Sequence, residues 1–138
     1  MSSKGAFVVF GSGPGIGRST AAYFAEKGFK HVFLLSRDTS RLDEDAKFIS
    51  SVASDAKVQT LKIDLAADED TIRSILREID EKLKAEGVPL EVVLYNAARV
   101  GPSRVLEWER KSLEEDIRVC DLPVSDLFFC NLHFQACN

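Results

Sequence analysis

Short apolar runs alternate with amphipathic segments along most of the chain. The runs are mostly continuous, which is typical of strands buried on both faces of a parallel sheet. They predict strands at Ala6–Phe10, His31–Leu35, Val58–Ile63 and Leu90–Tyr95. The segments between them carry apolar residues at helical spacing and predict helices at Ile16–Lys27, Leu42–Val52 and Asp68–Glu86. Because each helix must return the chain to the same edge, the pattern predicts a doubly wound α/β parallel sheet.

The last part of the chain departs from this pattern. The spacing Ser112-x-x-Glu115 is a capping box, which predicts that a further helix starts there. From Val119 to Asn138 the chain has no lysine, arginine or glutamate, yet it holds all 3 cysteines. We therefore divide the chain into a domain at 1–118, which we expect to stop after the fourth strand and the following helix, and an atypical Cys- and Phe-containing tail at 119–138.

Composition narrows the class of protein. With 45% hydrophobic and 29% charged residues, the chain has the make-up of a soluble globular domain. Its net charge of -4 provides no basic surface for a nucleic-acid backbone, so we expect no nucleic-acid partner. The first apolar run is too short for a signal peptide or a membrane span, so we expect a cytoplasmic protein without a membrane partner. The cysteines lack the spacing of a zinc site, and we expect reduced thiols and no metal.

A glycine-rich turn, Phe10-Gly11-Ser12-Gly13-Pro14-Gly15-Ile16-Gly17, joins the first strand to the first helix. Glycines let the backbone approach a phosphate without an intervening Cβ, and a helix N-terminus offers free amides and partial positive charge. The spacing is G-x-x-x-G-x-G and differs from the general dinucleotide fingerprint G-x-G-x-x-G. A turn that only closes a strand-helix corner is the structural alternative. We assign these residues to cofactor binding: Gly11, Ser12, Gly13, Gly15, Ile16 and Gly17.

This spacing resembles the short-chain dehydrogenase/reductase family, whose signature is T-G-x-x-x-G-x-G and often ends Gly-Ile-Gly as here. The resemblance covers about Gly5 to Val119 and implies a Rossmann fold, a bound NAD(P) and hydride transfer between the cofactor and a carbonyl or alcohol substrate. Three further segments lie where the family places cofactor contacts. They are Ser36-Arg37 after the second strand, Asp64-Leu65 after the third, and Asn96-Ala97-Ala98 after the fourth.

The residues after the second strand bear on which dinucleotide is bound. An acid here would bond the ribose hydroxyls of NAD, whereas a neutral residue followed by arginine resembles the NADP-binding members of the family. The resemblance therefore implies that Arg37 pairs with the 2′-phosphate of NADP, assisted by Ser36. NAD is the less favoured cofactor. The alternative for Arg37 is a solvated side chain at the start of a loop, and Arg18 is a weaker candidate that we expect to be exposed on the first helix.

A second resemblance competes with the first. The spacing G-x-G-x-G at Gly11, Gly13 and Gly15 is similar to the first motif of class I S-adenosylmethionine methyltransferases. Those proteins usually carry an acid two residues before the first glycine, where this chain has Val9. No acidic or proline-rich catalytic motif follows the fourth strand either, so the reductase resemblance is favoured.

The residues that would act on a bound cofactor are not found where the family has them. Family members use a serine after a fifth strand and a Tyr-x-x-x-Lys pair on the next helix. The formal match Tyr23-x-x-x-Lys27 lies on the first helix, and we reject it as a catalytic pair. We therefore predict an NADP(H)-binding chain with no catalytic residues of its own. The alternative is a non-catalytic dinucleotide-binding or interaction module that self-associates through the sheet edge at the fourth strand.

Overall fold

One parallel sheet with helices between its strands forms the part of the chain that the computed structural model describes, residues 4–99 and 109–120. The strands are β1 (Lys4–Phe10), β2 (Phe29–Ser36), β3 (Lys57–Lys62) and β4 (Leu90–Tyr95). The helices are α1 (Ile16–Glu26), α2 (Thr39–Val52), α3 (Glu69–Glu86) and α4 (110–120). Across the sheet the strands run in the order β3-β2-β1-β4 and all pairs are parallel. The predicted Rossmann-type α/β fold is confirmed.

Two apolar layers cover the sheet, and β1 contributes to both because successive side chains of a strand point to opposite faces. Ala6, Val8 and Phe10 pack in the layer that includes residues of α3 and α4. Phe7 and Val9 pack in the opposite layer with residues of α1 and α2. All five side chains are buried, which explains why the sequence of β1 is continuously apolar. The strand order reverses direction between β1 and β4, and ligands of such sheets bind outside the carboxyl ends of the strands at this point.

Two helix starts follow from side chains that cap them. The Asp38 carboxylate accepts the backbone N–H of Arg41 at 3.2 Å, so α2 begins at Thr39, three residues before the predicted Leu42. The Asp68 carboxylate accepts the N–H of Thr71 in the same way at 2.9 Å, and α3 follows it. An acid at this position satisfies a free amide and complements the helix dipole. Of the helices in the described part of the chain, none is both long and apolar enough to cross a membrane.

The predicted start of α4 at a capping box is wrong. The helix begins at residue 110, so Ser112 lies inside the first turn and not at the cap. The backbone N–H of Ser112 donates to the carbonyl of Glu109 at 3.0 Å, which makes Glu109 the residue that starts the helical hydrogen bonding. The helix itself was correctly predicted.

Helix α4 packs beside β4. The Tyr95 hydroxyl donates to the carbonyl of Val119, and Arg99 Nη1 lies 2.5 Å from Glu115 Oε2. Val119 is buried in the core, while residues 121–138 of the predicted tail lie outside the described residues, so the proposed division at 118 stays a prediction. Strand β4 is at one edge of the described sheet, and self-association through that edge also stays a prediction.

Candidate cofactor-binding site

A cleft of about 190 Å³ opens at the carboxyl ends of the strands. Most of the predicted cofactor residues line it, namely Gly11, Ser12, Ser36, Arg37, Asp64, Leu65, Asn96, Ala97 and Ala98. These residues come from the ends of all four strands in the described sheet, so the fold brings distant segments of the sequence to one place. Gly13, Gly15, Ile16 and Gly17 continue the turn next to Ser12 but are not among the residues that line the cleft.

Two of the glycines are required by the shape of the turn itself. Gly11 has a φ of +83°, and a Cβ added there would lie 2.6 Å from the backbone nitrogen of Ala97. A Cβ on Gly17 would lie 2.8 Å from the carbonyl oxygen of Gly11. The amides of Gly11 and Ser12 both donate to the carbonyl of Leu35, which ties the turn to β2. The fold therefore accounts for Gly11 and Gly17 without any ligand.

The other two glycines have no such explanation in the protein. A Cβ on Gly13 or on Gly15 would meet no atom within 4 Å. Gly15 is the N-cap of α1, no side chain caps this helix, and its first turn contains no acid. The first turn of α1 thus carries no carboxylate of its own, and the space beside it is open at the two glycines. These are the conditions under which a phosphate can bind to helix amides.

Two guanidinium groups lie at the end of β2. Arg37 is exposed and lines the cleft, as does Arg41 from the first turn of α2. The Asp38 carboxylate caps α2 and lies 3.4 Å from Arg41 Nε, whereas Ser36 Oγ accepts the Asp38 amide at 3.5 Å. The sequence prediction included Ser36 and Arg37 but missed Arg41. The sequence does show that Arg41 follows Arg37 by four residues. This spacing indicates a shared site only once the start of α2 at Thr39 is known.

The segments after β3 and β4 complete the cleft. Asp64 Oδ1 accepts the backbone N–H of Ala66 at 3.0 Å, which holds the loop that follows β3. The side chain of Asn96 donates from Nδ2 to the carbonyl of Gly11 at 3.2 Å, and its backbone N–H donates to the carbonyl of Phe10 at 2.8 Å. Asn96 therefore fixes the glycine turn from the β4 side.

Tyr95 lies directly before this segment and packs against the core. Its ring lies on that of Phe10, with 5.9 Å between the centroids. Burial raises the pKa of Tyr95 to about 12, with a smaller contribution from the neighbouring Cys120. At neutral pH the hydroxyl is therefore a proton donor, and it is used by the carbonyl of Val119.

The formal Tyr-x-x-x-Lys match lies away from the cleft. Tyr23 is exposed on α1, and the Lys27 ammonium lies 5.2 Å from the centre of its ring. Neither residue lines the cleft.

Comparison with known proteins identifies the family. A family model for the KR domain matches residues 5–117. The chain belongs to the KR-domain family of short-chain dehydrogenases/reductases. This membership decides against the S-adenosylmethionine methyltransferase alternative.

This KR domain is similar in sequence to a named oxidoreductase and a named reductase. The WW domain-containing oxidoreductase of Danio rerio is 37% identical over 116 residues, which cover 83% of this chain and 26% of that protein. The very-long-chain 3-oxoacyl-CoA reductase of Kluyveromyces lactis is 34% identical over 97 residues, 70% of this chain and 26% of that protein. The chain thus spans about a quarter of the length of these relatives.

Solved structures share the fold of this KR domain. A short-chain dehydrogenase from Escherichia coli CFT073 matches with a TM-score of 0.75 at 22% identity, covering 94% of this chain and 55% of that one. YwfH, described as an NADPH-dependent reductase, matches with a TM-score of 0.76 at 20% identity, covering 96% and 49%. At these identities the matches show only that the fold is shared. The chain corresponds to about half of each of these structures.

Proposed function

We propose that this KR domain binds NADP(H) in the cleft at the carboxyl ends of its strands. The observation that carries the proposal is the convergence of the glycine turn, the two arginines after β2, and the segments after β3 and β4 on one cleft. In the whole protein we expect a hydride to pass between the cofactor and a carbonyl or alcohol substrate.

The N-terminal end of α1 fits a pyrophosphate. Gly13 and Gly15 leave open space where any larger residue would place a Cβ. The first turn of α1 carries no acid and no capping side chain. The Arg18 amide donates to the carbonyl of Gly13, so the amides of Ile16 and Gly17 and the positive end of the helix dipole would receive the anion. Ser12, Ile16 and Gly17 would complete this part of the site.

The end of β2 fits the 2′-phosphate that distinguishes NADP from NAD. Arg37 and Arg41 both line the cleft, and a guanidinium pairs well with a phosphate through two parallel hydrogen bonds. The carboxylate that follows Arg37 in the sequence, Asp38, accepts the amide of Arg41 and lies 3.4 Å from the Arg41 Nε. It is not among the residues lining the cleft, so it is poorly placed to serve the ribose hydroxyls of NAD.

The remaining segments would hold the two ends of the dinucleotide. By analogy with the family, Asp64 and Leu65 would contact the adenine, and the Asn96–Ala98 segment would lie along the nicotinamide half. A bound NADPH supplies the hydride, and this chain's residues bind and orient it. Two similar structures support the choice of NADPH, since one is an NADPH-dependent reductase and another is L-sorbose reductase from Gluconobacter frateurii complexed with NADPH and L-sorbose.

Calorimetric titration of the purified chain with NADPH and NADH tests the proposal. We expect NADPH to bind more tightly by about tenfold or more, because a hydrogen bond to a charged group contributes about 1.5–3 kcal/mol. The variant Arg37→Ala should remove most of the difference. Arg77→Ala is the matched control, because Arg77 is an exposed arginine on α3 that does not line the cleft. Equal affinities for the two cofactors in the parent chain would contradict the assignment of Arg37 and the choice of NADP(H).

A further inference from the structure

A carboxylate is buried behind the glycine turn. Asp45 lies on α2 between Leu42 and Ile49 of the same apolar face, and it is only 1% exposed. Its Oδ2 accepts a hydrogen bond of 2.7 Å from the hydroxyl of Ser12, which is itself buried in the turn. Its Oδ1 lies 3.7 Å from Nη1 of Arg18 on α1. One side chain of α2 is therefore connected to both the turn and the helix that follows it.

Arg18 extends this connection along the turn. Its Nη2 donates to the carbonyl of Pro14 at 3.2 Å, and its guanidinium lies 4.7 Å from the ring centre of Phe48 on α2. The sequence prediction that Arg18 is exposed on the helix is therefore wrong, since its side chain is 27% exposed and held on three sides. Asp45 and Arg18 together fix Ser12 and Pro14, the residues on either side of Gly13.

The energetics of this network favour a role other than fold stability. Burying a carboxylate costs several kcal/mol, and replacing a buried ion pair by apolar residues is often neutral or stabilising. A carboxylate near a phosphate site also repels the phosphate, but the guanidinium of Arg18 opposes that charge locally. What the network does provide is a short charge-assisted hydrogen bond that fixes the backbone of the turn at Ser12.

We propose that Asp45 is a positioning residue for the phosphate-binding turn. Through Ser12 and Arg18 it holds the turn in the shape that leaves Gly13, Gly15 and the end of α1 open to a pyrophosphate. A turn fixed before binding loses less conformational entropy when the ligand arrives, so the network raises affinity without touching the ligand. This inference rests on the proposed function and names a residue that acts on one part of the same site.

Two ligands separate a positioning role from a structural one. ADP-ribose carries the pyrophosphate for the turn and has no 2′-phosphate, whereas 2′-AMP carries the phosphate for Arg37 and Arg41 and has no pyrophosphate. We expect Asp45→Asn to weaken ADP-ribose binding by about fivefold, because a charge-assisted hydrogen bond is about twice as strong as a neutral one. Binding of 2′-AMP should be unchanged. Asp43→Asn removes the same charge from the exposed face of α2 and should change neither affinity.

A second variant covers the case in which Asp45→Asn does not fold. Ser12→Ala combined with Asp45→Leu replaces both partners of the buried hydrogen bond by apolar groups, which can leave stability nearly unchanged, and Arg18 keeps access to water because its side chain is 27% exposed. This double variant should lose ADP-ribose affinity by about tenfold and keep that for 2′-AMP. Unchanged ADP-ribose binding, or an equal loss for both ligands, would overturn the inference. A parent chain that binds neither ligand would instead overturn the proposed function on which it rests.

Discussion

Replacing Gly11 by alanine should destabilise the fold, whereas the same replacement at Gly13 should not. Both glycines lie in the same turn, and each variant adds a single methyl group to the parent chain. The two variants therefore differ only in where that methyl group is placed. At Gly11 the backbone has a φ of +83°, and the added Cβ would lie 2.6 Å from the nitrogen and the Cα of Ala97. At Gly13 φ is not positive, and the Cβ would meet no atom within 4 Å.

The magnitude follows from two separate costs. A residue with a Cβ in the left-handed region costs about 1–2 kcal/mol. A contact of 2.6 Å with backbone atoms requires β1 and the segment after β4 to move apart, and forcing extra atoms into a packed region costs about 1–3 kcal/mol. The sum is about 2–5 kcal/mol, a large part of the ~5–15 kcal/mol that stabilises a typical domain. For Gly13→Ala we expect a change within about 1 kcal/mol of zero.

Urea unfolding followed by circular dichroism measures the free energy of unfolding for the parent and both variants. The urea concentration at the unfolding midpoint should be clearly lower for Gly11→Ala than for the parent. The slope of the unfolding free energy against urea concentration should stay the same if the unfolded state is unaffected. The reasoning is refuted if Gly11→Ala unfolds within about 0.5 kcal/mol of the parent, because both the strained φ and the contact with Ala97 would then be absent from the folded protein.

Two further predictions concern the turn and the core behind it. Gly15→Ala should keep most of the stability, apart from a loss of up to about 1 kcal/mol at the helix cap, but should weaken NADPH binding measured by titration because its Cβ fills the space open to a phosphate. Unaltered NADPH affinity would contradict the placement of the pyrophosphate. Tyr95 has its pKa raised from 10.0 to about 12, so as pH rises the unfolded chain loses the phenolic proton first. Stability from this residue should be intact below pH 10 and fall by about 1–2 kcal/mol between pH 10 and 12. Tyr95→Phe should remove that alkaline component of the unfolding curve, and its persistence would assign the effect to another group.

The strands were predictable because the sheet is covered on both faces. β1 contributes to two apolar layers, and a segment with this environment has no polar side to interrupt its pattern. The start of α2 was placed three residues late because the first apolar residue of the helix, Leu42, is not its first residue. The helix begins earlier through the carboxylate of Asp38, which is a local polar contact that periodicity does not record.

That error also explains why Arg41 was missed. With α2 starting at Leu42, Arg41 would belong to the preceding loop, and nothing would fix its position relative to Arg37. With the observed start at Thr39, Arg41 lies in the first helical turn and reaches the same cleft. The segments that contain Arg37, Asp64 and Asn96 were easier to predict, because each follows a strand and parallel strands must end at the same edge of the sheet.

Asp45 was not singled out from the sequence, although its position in α2 is an exception to the apolar pattern that only the fold explains. It lies three residues after Leu42 and four before Ile49, so helical spacing places its carboxylate in the buried stripe of α2. A buried carboxylate needs a partner, but its partner Ser12 is 33 residues away and comes near only because α1 and α2 pack on the same face of the sheet. The pattern therefore shows that a polar contact exists, and the topology decides with which residue. Since that residue belongs to the glycine turn, the exception in the core pattern of α2 agrees with the positioning role proposed for Asp45.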